Sequence, residues 1–400
     1  MKRVEKLLFL GLIFISAFFC FYKLSYPEIQ RWDEETNANV IYESLNSENP
    51  LVLKLNKETF FEKPPLWYYL TMAVVKVGEF DKFNLRLVSA VSGFLLIMLV
   101  YKIGKDFYSR WVGLFSAFLM CTIGQLFFFN PGEFFSTHHI RSADLDILQI
   151  FFMTLSFYSF YLVLKKNVNW IYPGTIFAAL AIMAKGPLGI CPIFVFLLIT
   201  VFNKEKVKFE KKKLLLSFFL FLSIILPWHF FMYVLYRQEF VDQYLIYHIL
   251  KRGLTTLEGH HEPWWFYLKV ITTREVFLWP ELLLSTLLFF FSKRKKAFNL
   301  ENSFIIITIS MLLIVINISQ TRLAWYILPL YPFLTLLIGS FLHFLYKEKS
   351  WQGVWKKRVG LLTMIILILS GVFCNSWKIL KITENKIQIP LEKQLIDSKI

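Results

Sequence analysis

The 400-residue sequence is 56% apolar and 18% aromatic with only 18% charged residues, where soluble domains carry about 45–50% apolar and about 25% charged residues. Apolar runs near membrane-spanning length recur along it, which excludes a soluble globular domain and predicts an all-α polytopic membrane protein, because open sheet edges cannot be satisfied in lipid. The net charge of +16 is scattered in short basic runs between those segments, a positive-inside pattern rather than a nucleic-acid-binding surface.

The chain opens with Met-Lys-Arg-Val-Glu-Lys and an apolar run from Leu7 to Tyr22 without a small-x-small cleavage site. It therefore predicts an uncleaved first span over about 7–23 that starts in the cytoplasm. An outer loop, 24–63, follows. The stretch 64–79 is apolar but short and begins with two prolines. Later spans are expected at about 84–102, 111–129, 145–164, 170–185, 187–203, 214–236, 270–291, 302–318, 323–345 and 358–375. With 64–79 held as a juxtamembrane helix at the outer interface the total is eleven. The basic turns at Lys102 to Arg110, Lys165-Lys166, Lys204 to Lys213, Lys293 to Lys296 and Lys347 to Arg358 then all face the cytoplasm. The expected organisation is one transmembrane domain, 1–375, with outer loops 24–83 and 237–270, and a short outer tail, 376–400. Cys20, Cys121, Cys191 and Cys374 lie in apolar runs with no CxxC pair and read as packing residues.

This topology gathers the charges it does not explain on the outer face. Asp33-Glu34 follows the first span, either as an acidic helix start favoured by the macrodipole or as a general base or cation ligand. In Glu62-Lys63-Pro64-Pro65 the first proline pushes Lys63 into an extended conformation, which suits either a lipid phosphate or simple interfacial anchoring. Asp144 and Asp146 lie two apart, so on a helix they would not share a face. One is expected to be functional and the other a cap or a partner for Arg141, with His138-His139 interfacial. Lys185-Gly186-Pro187 reads as a turn with a snorkelling lysine or as a second phosphate contact. His260, His261 and Glu262 could ligate a metal or touch substrate, although they lack the i, i+4 spacing of a zinc helix. Arg322, before Tyr326, Pro329 and Pro332, either binds phosphate or caps a kinked span start.

In this order the motifs resemble the polyprenyl-phosphate-sugar glycosyltransferases of the protein mannosyltransferase and lipid A aminoarabinose transferase superfamily. The carriers are Asp33-Glu34, FEKPPLWYYL, Arg86 in NLRLVSAVSG, Arg141 to Asp146, Ala184-Lys185-Gly186-Pro187, His260 to Pro263 before WWFYL, and RLAWYILPLYP, over about residues 1–340. The resemblance implies a GT-C fold and an inverting transfer from a polyprenyl (undecaprenyl) phosphate sugar to lipid A, a glycan or a protein at the outer face of the inner membrane. It implies Asp33 as catalytic acid in the first loop, with Glu34 beside it, and Asp146 or Asp144 as the second. Lys63, Arg322, Lys185 and Tyr326 would hold the donor phosphate, and Glu62 with His260 a divalent ion such as Zn, Mg or Mn. Thr36 stands where those enzymes carry an arginine and Arg322 where they carry a lysine, and a short tail after about residue 376 is expected in place of the large outer C-terminal domain of some relatives. A lipid-linked sugar flippase is the rival from another class, but transporters place ionisable groups near the midplane and build repeated halves. An O-antigen polymerase or ligase is a second enzyme rival.

Overall fold

The computed structural model describes residues 3–128, 137–202, 210–251, 262–274, 283–284, 286–288, 299–347 and 354–383. The helices are α1 Arg3–Phe21, α2 Asp33–Leu45, α3 Leu66–Val77, α4 Lys82–Phe107, α5 Arg110–Met120, α6 Asp146–Lys165 and α7 Ile171–Lys185, then α8 Cys191–Phe202, α9 Lys211–Phe240, α10 Phe266–Arg274, α11 Leu300–Ile318, α12 Tyr331–Lys347 and α13 Val354–Leu380. A π-helical turn, Val241–Lys251, continues α9, and a 3-10 segment, Ala324–Leu330, leads into α12.

Six helical stretches among the described residues are long and apolar enough to cross a membrane, against eleven expected. The difference has a physical reason at three places. α5, α7 and α8 are 11, 15 and 12 residues long, short of the roughly 20 that a bilayer core of about 30 Å needs. Most of the stretch expected at 270–291 lies outside the described residues. α3 has 12 residues, which reach about 18 Å, in keeping with a helix that does not cross.

α4, α6 and α7 form the middle of the bundle, with α5 and α12 packed beside α4. α4 and α5 approach backbone to backbone: a Cβ on Gly104 would sit 2.8 Å from the Gly113 Cα, and one on Gly113 only 2.4 Å from the Tyr101 carbonyl oxygen. Small residues allow this in a membrane bundle, where packing rather than hydrophobicity holds helices together. Asp81 caps α4, accepting from the Asn84 N–H at 2.7 Å, and Asn299 caps α11 in the same way at 2.8 Å, each satisfying an amide the first helical turn leaves open.

The first loop folds over one end of this bundle. α2 and α3 bury Ala38, Ile41, Trp67 and Tyr68 against Leu85 of α4, Leu148 of α6 and Ala184 of α7. Strands were not expected, yet β1 (Lys54–Leu55) and β2 (Glu58–Thr59) pair antiparallel in this loop. Asn56 and Lys57 at the turn both have positive φ, the geometry of a tight two-residue hairpin. The expectation concerned strands in lipid, and this hairpin belongs to a polar loop.

Candidate functional site

The site begins with two adjacent acids that the helix separates. Successive residues of a helix point about 100° apart, so Asp33 and Glu34 at the start of α2 face different surroundings. Glu34 is fully enclosed. One oxygen accepts from Arg86 Nε at 2.7 Å and the Ala143 N–H at 2.8 Å, the other from Arg86 Nη2 at 3.1 Å and the Gln30 N–H at 2.8 Å. Arg86 spends its remaining donors on the carbonyls of Leu24, Pro27 and Glu28. A buried ion pair is tolerable only when the remaining donors and acceptors are met in this way. Glu34, expected among the catalytic acids, sits in a brace that ties the turn before α2 to α4 and to the loop before α6.

Asp33 turns the other way. One carboxylate oxygen accepts from Lys63 Nζ at 2.9 Å and the other lies 3.1 Å from His138 Nε2. His138 Nδ1 is 2.7 Å from Asp146, and Lys185 donates to the second Asp146 oxygen. Lys63, Asp33, His138, Asp146 and Lys185 thus alternate in sign along one line. Behind it, Asp144 accepts from the His138 N–H at 2.8 Å, the Ser142 hydroxyl at 2.8 Å and the Asn37 amide at 3.1 Å. Tyr68 fixes that amide by donating to Asn37 Oδ1 at 2.6 Å. Trp325 stacks on His138 with ring centroids 3.9 Å apart and planes 11° apart.

The electrostatics follow from this geometry. Burial opposes a charge on His138, but Asp144, Asp33 and Asp146 outweigh it and hold the imidazole at about 9, a cation at neutral pH. Burial would raise Asp33, yet Lys63 and His138 keep its carboxyl well below the usual range. Burial would likewise lower Lys63, and Asp33 and Glu62 more than reverse that. Asp144 is pushed up by its burial, with Asp33 and Asp146 adding to it against His138. The Asp144 side chain is 1% exposed and that of Asp33 31%, so Asp33 is the most open of the carboxylates around His138.

Other expected residues lie elsewhere or play other parts. Arg141 pairs with neither aspartate, as had been expected for one of them. It donates to the carbonyls of Phe19, Tyr22 and Lys23 at 2.8, 3.0 and 3.0 Å, because the end of α1 leaves those oxygens open. Asp144 and Asp146 both reach His138, since Asp144 sits in the loop before α6 rather than on the helix whose geometry would part them. Arg322 donates to the carbonyls of Glu262 and Asn317, and Tyr326 lies edge-on to Trp325 at 6.2 Å. Glu62 is 3.8 Å from Lys63, and His260 lies outside the described residues.

His138, expected at the interface, is instead buried at the centre of the charged line; its sequence signal was its place eight residues before Asp146. Trp325 and Asn37 carried no signal of their own. His138, Asp144 and Asp146 are close enough that one ligand atom from each lies within 4.8 Å of the others, so these three could gather around a cation. The fit is poor as they stand. Both ring nitrogens of His138 and all four oxygens of the two aspartates already meet protein partners.

Residues 62–231 match the family described as dolichyl-phosphate-mannose-protein mannosyltransferase. Over 90% of the chain the structure superimposes on ArnT from Cupriavidus metallidurans bound to undecaprenyl phosphate, with a TM-score of 0.69 and 18% identity, covering 63% of that protein. The chain has the GT-C fold. In sequence it is 29% identical to an Aquifex aeolicus protein over 78% of this chain and 67% of that one. It is also 23% identical, over 82% of its length and 55% of the relative's, to the undecaprenyl phosphate-alpha-4-amino-4-deoxy-L-arabinose arabinosyl transferase 2 of Pseudomonas fluorescens. The chain therefore spans between about half and two thirds of the length of these relatives. The resemblance read from the ordered motifs, to GT-C transferases of polyprenyl-phosphate sugars, agrees with all three comparisons.

Proposed function

We propose that this chain is a membrane glycosyltransferase that moves a sugar from a polyprenyl phosphate, with undecaprenyl phosphate as the carrier, to lipid A, a glycan or a protein. The active face is the outer one of the inner membrane. The observation that carries this reading is the Lys63–Asp33–His138–Asp146–Lys185 line at the loop-covered end of an apolar bundle. It sets an ammonium for a phosphate beside a reachable carboxylate for an acceptor.

The acceptor oxygen attacks the anomeric carbon from the face opposite the phosphate, so the configuration inverts. The bond from that carbon to the phosphate oxygen breaks, and its electron pair leaves with the lipid phosphate. Lys63 neutralises the charge that develops there, and Asp33 takes the proton of the acceptor hydroxyl. Held by Lys63 and His138, Asp33 is a weak base. A phosphate that draws Lys63 toward itself frees one Asp33 oxygen and removes its nearest cation, so donor binding raises the basicity of Asp33 where the acceptor arrives. Asp146, through His138, keeps Asp33 aimed, and Asp144 fixes the His138 backbone. Arg322, Tyr326 and Lys185 are the further candidates for donor contact. No step is routed through a metal, because the ring nitrogens and carboxylate oxygens of the three residues that could gather around one already meet protein partners. Transfer that persists in a chelator supports this; loss restored by Zn, Mg or Mn makes a divalent ion part of the enzyme.

The deciding experiment gives the purified protein a cell lipid extract containing polyprenyl-phosphate sugars, with mass spectrometry of lipid A, glycans and proteins. The expected result is a sugar-sized mass gain that Asp33→Asn loses with its melting temperature kept. Wild-type turnover by that variant ends the assignment of Asp33. Donor movement across liposomes without any transfer ends the transferase reading.

A further inference from the structure

Immediately before Asp33 stands a tryptophan in a costly conformation. Trp32 has φ 72° and ψ −123°, a region that side chains with a Cβ avoid and that survives only where its surroundings over-determine it. Here they do. Gln30 is held by Glu34 through its N–H, Glu34 by Arg86 and the Ala143 N–H, and the Trp32 carbonyl accepts from the Thr36 N–H at 2.8 Å. The brace fixes both ends of the turn and leaves Trp32 the strained link between them.

That strain does not bury the ring. Trp32 is 68% exposed and makes no ring stacking, cation–π contact or side-chain hydrogen bond among the described residues. A lone exposed apolar residue needs no explanation. One on a strained backbone, in the residue immediately before the open carboxylate of Asp33, does. A flat indole with a negative face suits a partner that is itself flat, apolar on one side and lined with partly positive C–H groups, which describes the face of a pyranose ring.

We propose that Trp32 is a stacking platform for a sugar ring of the substrate and holds that ring beside Asp33. This rests on the transferase reading and adds to it the residue that grips the carbohydrate. The ring comes either from the donor or from a saccharide acceptor, and the two are separable.

The test compares Trp32→Gly, Trp32→Ala and Trp32→Phe in the full chain. Glycine is the informative change, because it relieves the backbone and deletes the ring together. The expected result is that Trp32→Gly melts no lower than wild type, yet raises KM for one substrate about three- to tenfold, the range of a single aromatic contact. Trp32→Phe should restore most of the loss. A rise in the donor's KM assigns the donor sugar, and a rise in the acceptor's KM assigns the acceptor. Unchanged KM for both in Trp32→Gly overturns the proposal and leaves Trp32 a membrane-interface aromatic. A loss confined to kcat and to Trp32→Gly, with Trp32→Ala and Trp32→Phe like wild type, also overturns it, since the backbone would then be what matters.

A second readout does not need turnover. In protein labelled with 5-fluorotryptophan, the one of 12 tryptophan signals missing from Trp32→Phe belongs to Trp32. It should shift when methyl glycosides of common hexoses and pentoses are added, and a still signal counts against the platform. A shift without transfer on any acceptor would break the transferase reading while keeping the platform.

Discussion

The two ends of the bundle are both rich in charge, and they use it differently. α4 runs from Arg86 to Asp106 and α6 from Asp146 to Lys165, so the two ends lie about 30 Å apart by helix rise. At the far end Lys102 pairs with Asp106, which also accepts from the Tyr158 hydroxyl. Lys165 and Tyr161 donate to Glu301 at 2.9 and 2.8 Å. The lysine side chains there are 48% and 53% exposed. At the loop-covered end those of Lys63 and Lys185 are 9% and 19% exposed, and three carboxylates converge on one buried imidazole. Solvated pairs add little and can be lost cheaply. Enclosed ones must be complete, and removing a partner strands a charge. The far end therefore fastens helices, while the near end encloses its charges and leaves Asp33 the most exposed of the three carboxylates around the imidazole.

The sharpest way to break this comparison is to make the same chemical change at both ends. Asp146→Asn, which leaves His138 no longer holding Asp33 in aim, should lower transfer about a hundredfold, the scale of misplacing a catalytic group, whereas Glu301→Gln should leave transfer within about twofold of wild type. Equal rates in the paired assay would erase the distinction. Next in size is Glu34→Gln. It leaves Arg86 buried without a countercharge and should cost about 3–5 kcal/mol, read as a fall in folded yield and melting temperature. If that variant melts like wild type but fails to transfer, Glu34 is catalytic after all.

His138 gives a smaller, pH-dependent effect. Its folded pKa of about 9 lies above the unfolded value near 6.5. The stability it contributes is thus complete below about pH 6.5 and fades as pH rises through about 9. Melting temperature should fall between pH 7 and pH 10, and His138→Gln should flatten that slope; an unaltered slope would mean the imidazole is not the titrating group. The smallest effect is expected from Lys165→Ala at the far end, below about 1 kcal/mol, measurable as a barely shifted melt with transfer intact.

How much of this was legible beforehand depends on the kind of residue. Asp33, Lys63, Asp146 and Lys185 stood out because charge in a lipid-soluble chain is conspicuous, and the folded chain places the four on one line. Glu34 was equally conspicuous and occupies a brace, because adjacency in sequence hides the angular step that a helix puts between neighbours. His138 does not stand out in the sequence, since a histidine near an interface has a sufficient explanation without a site. Trp325, 187 residues further on, carried nothing to connect it with His138 until the chain folded.

The lipid-soluble helical class and the motif order that matches GT-C enzymes are legible in the chain alone, because hydropathy and charge act locally or along it. Which acid is open and which enclosed, the capping of α1 by Arg141 rather than a pairing with an aspartate, and the histidine between the carboxylates all arise from packing. Those outcomes depend on which donors reach a given oxygen first when distant segments pack, and no local property of the sequence encodes that contest.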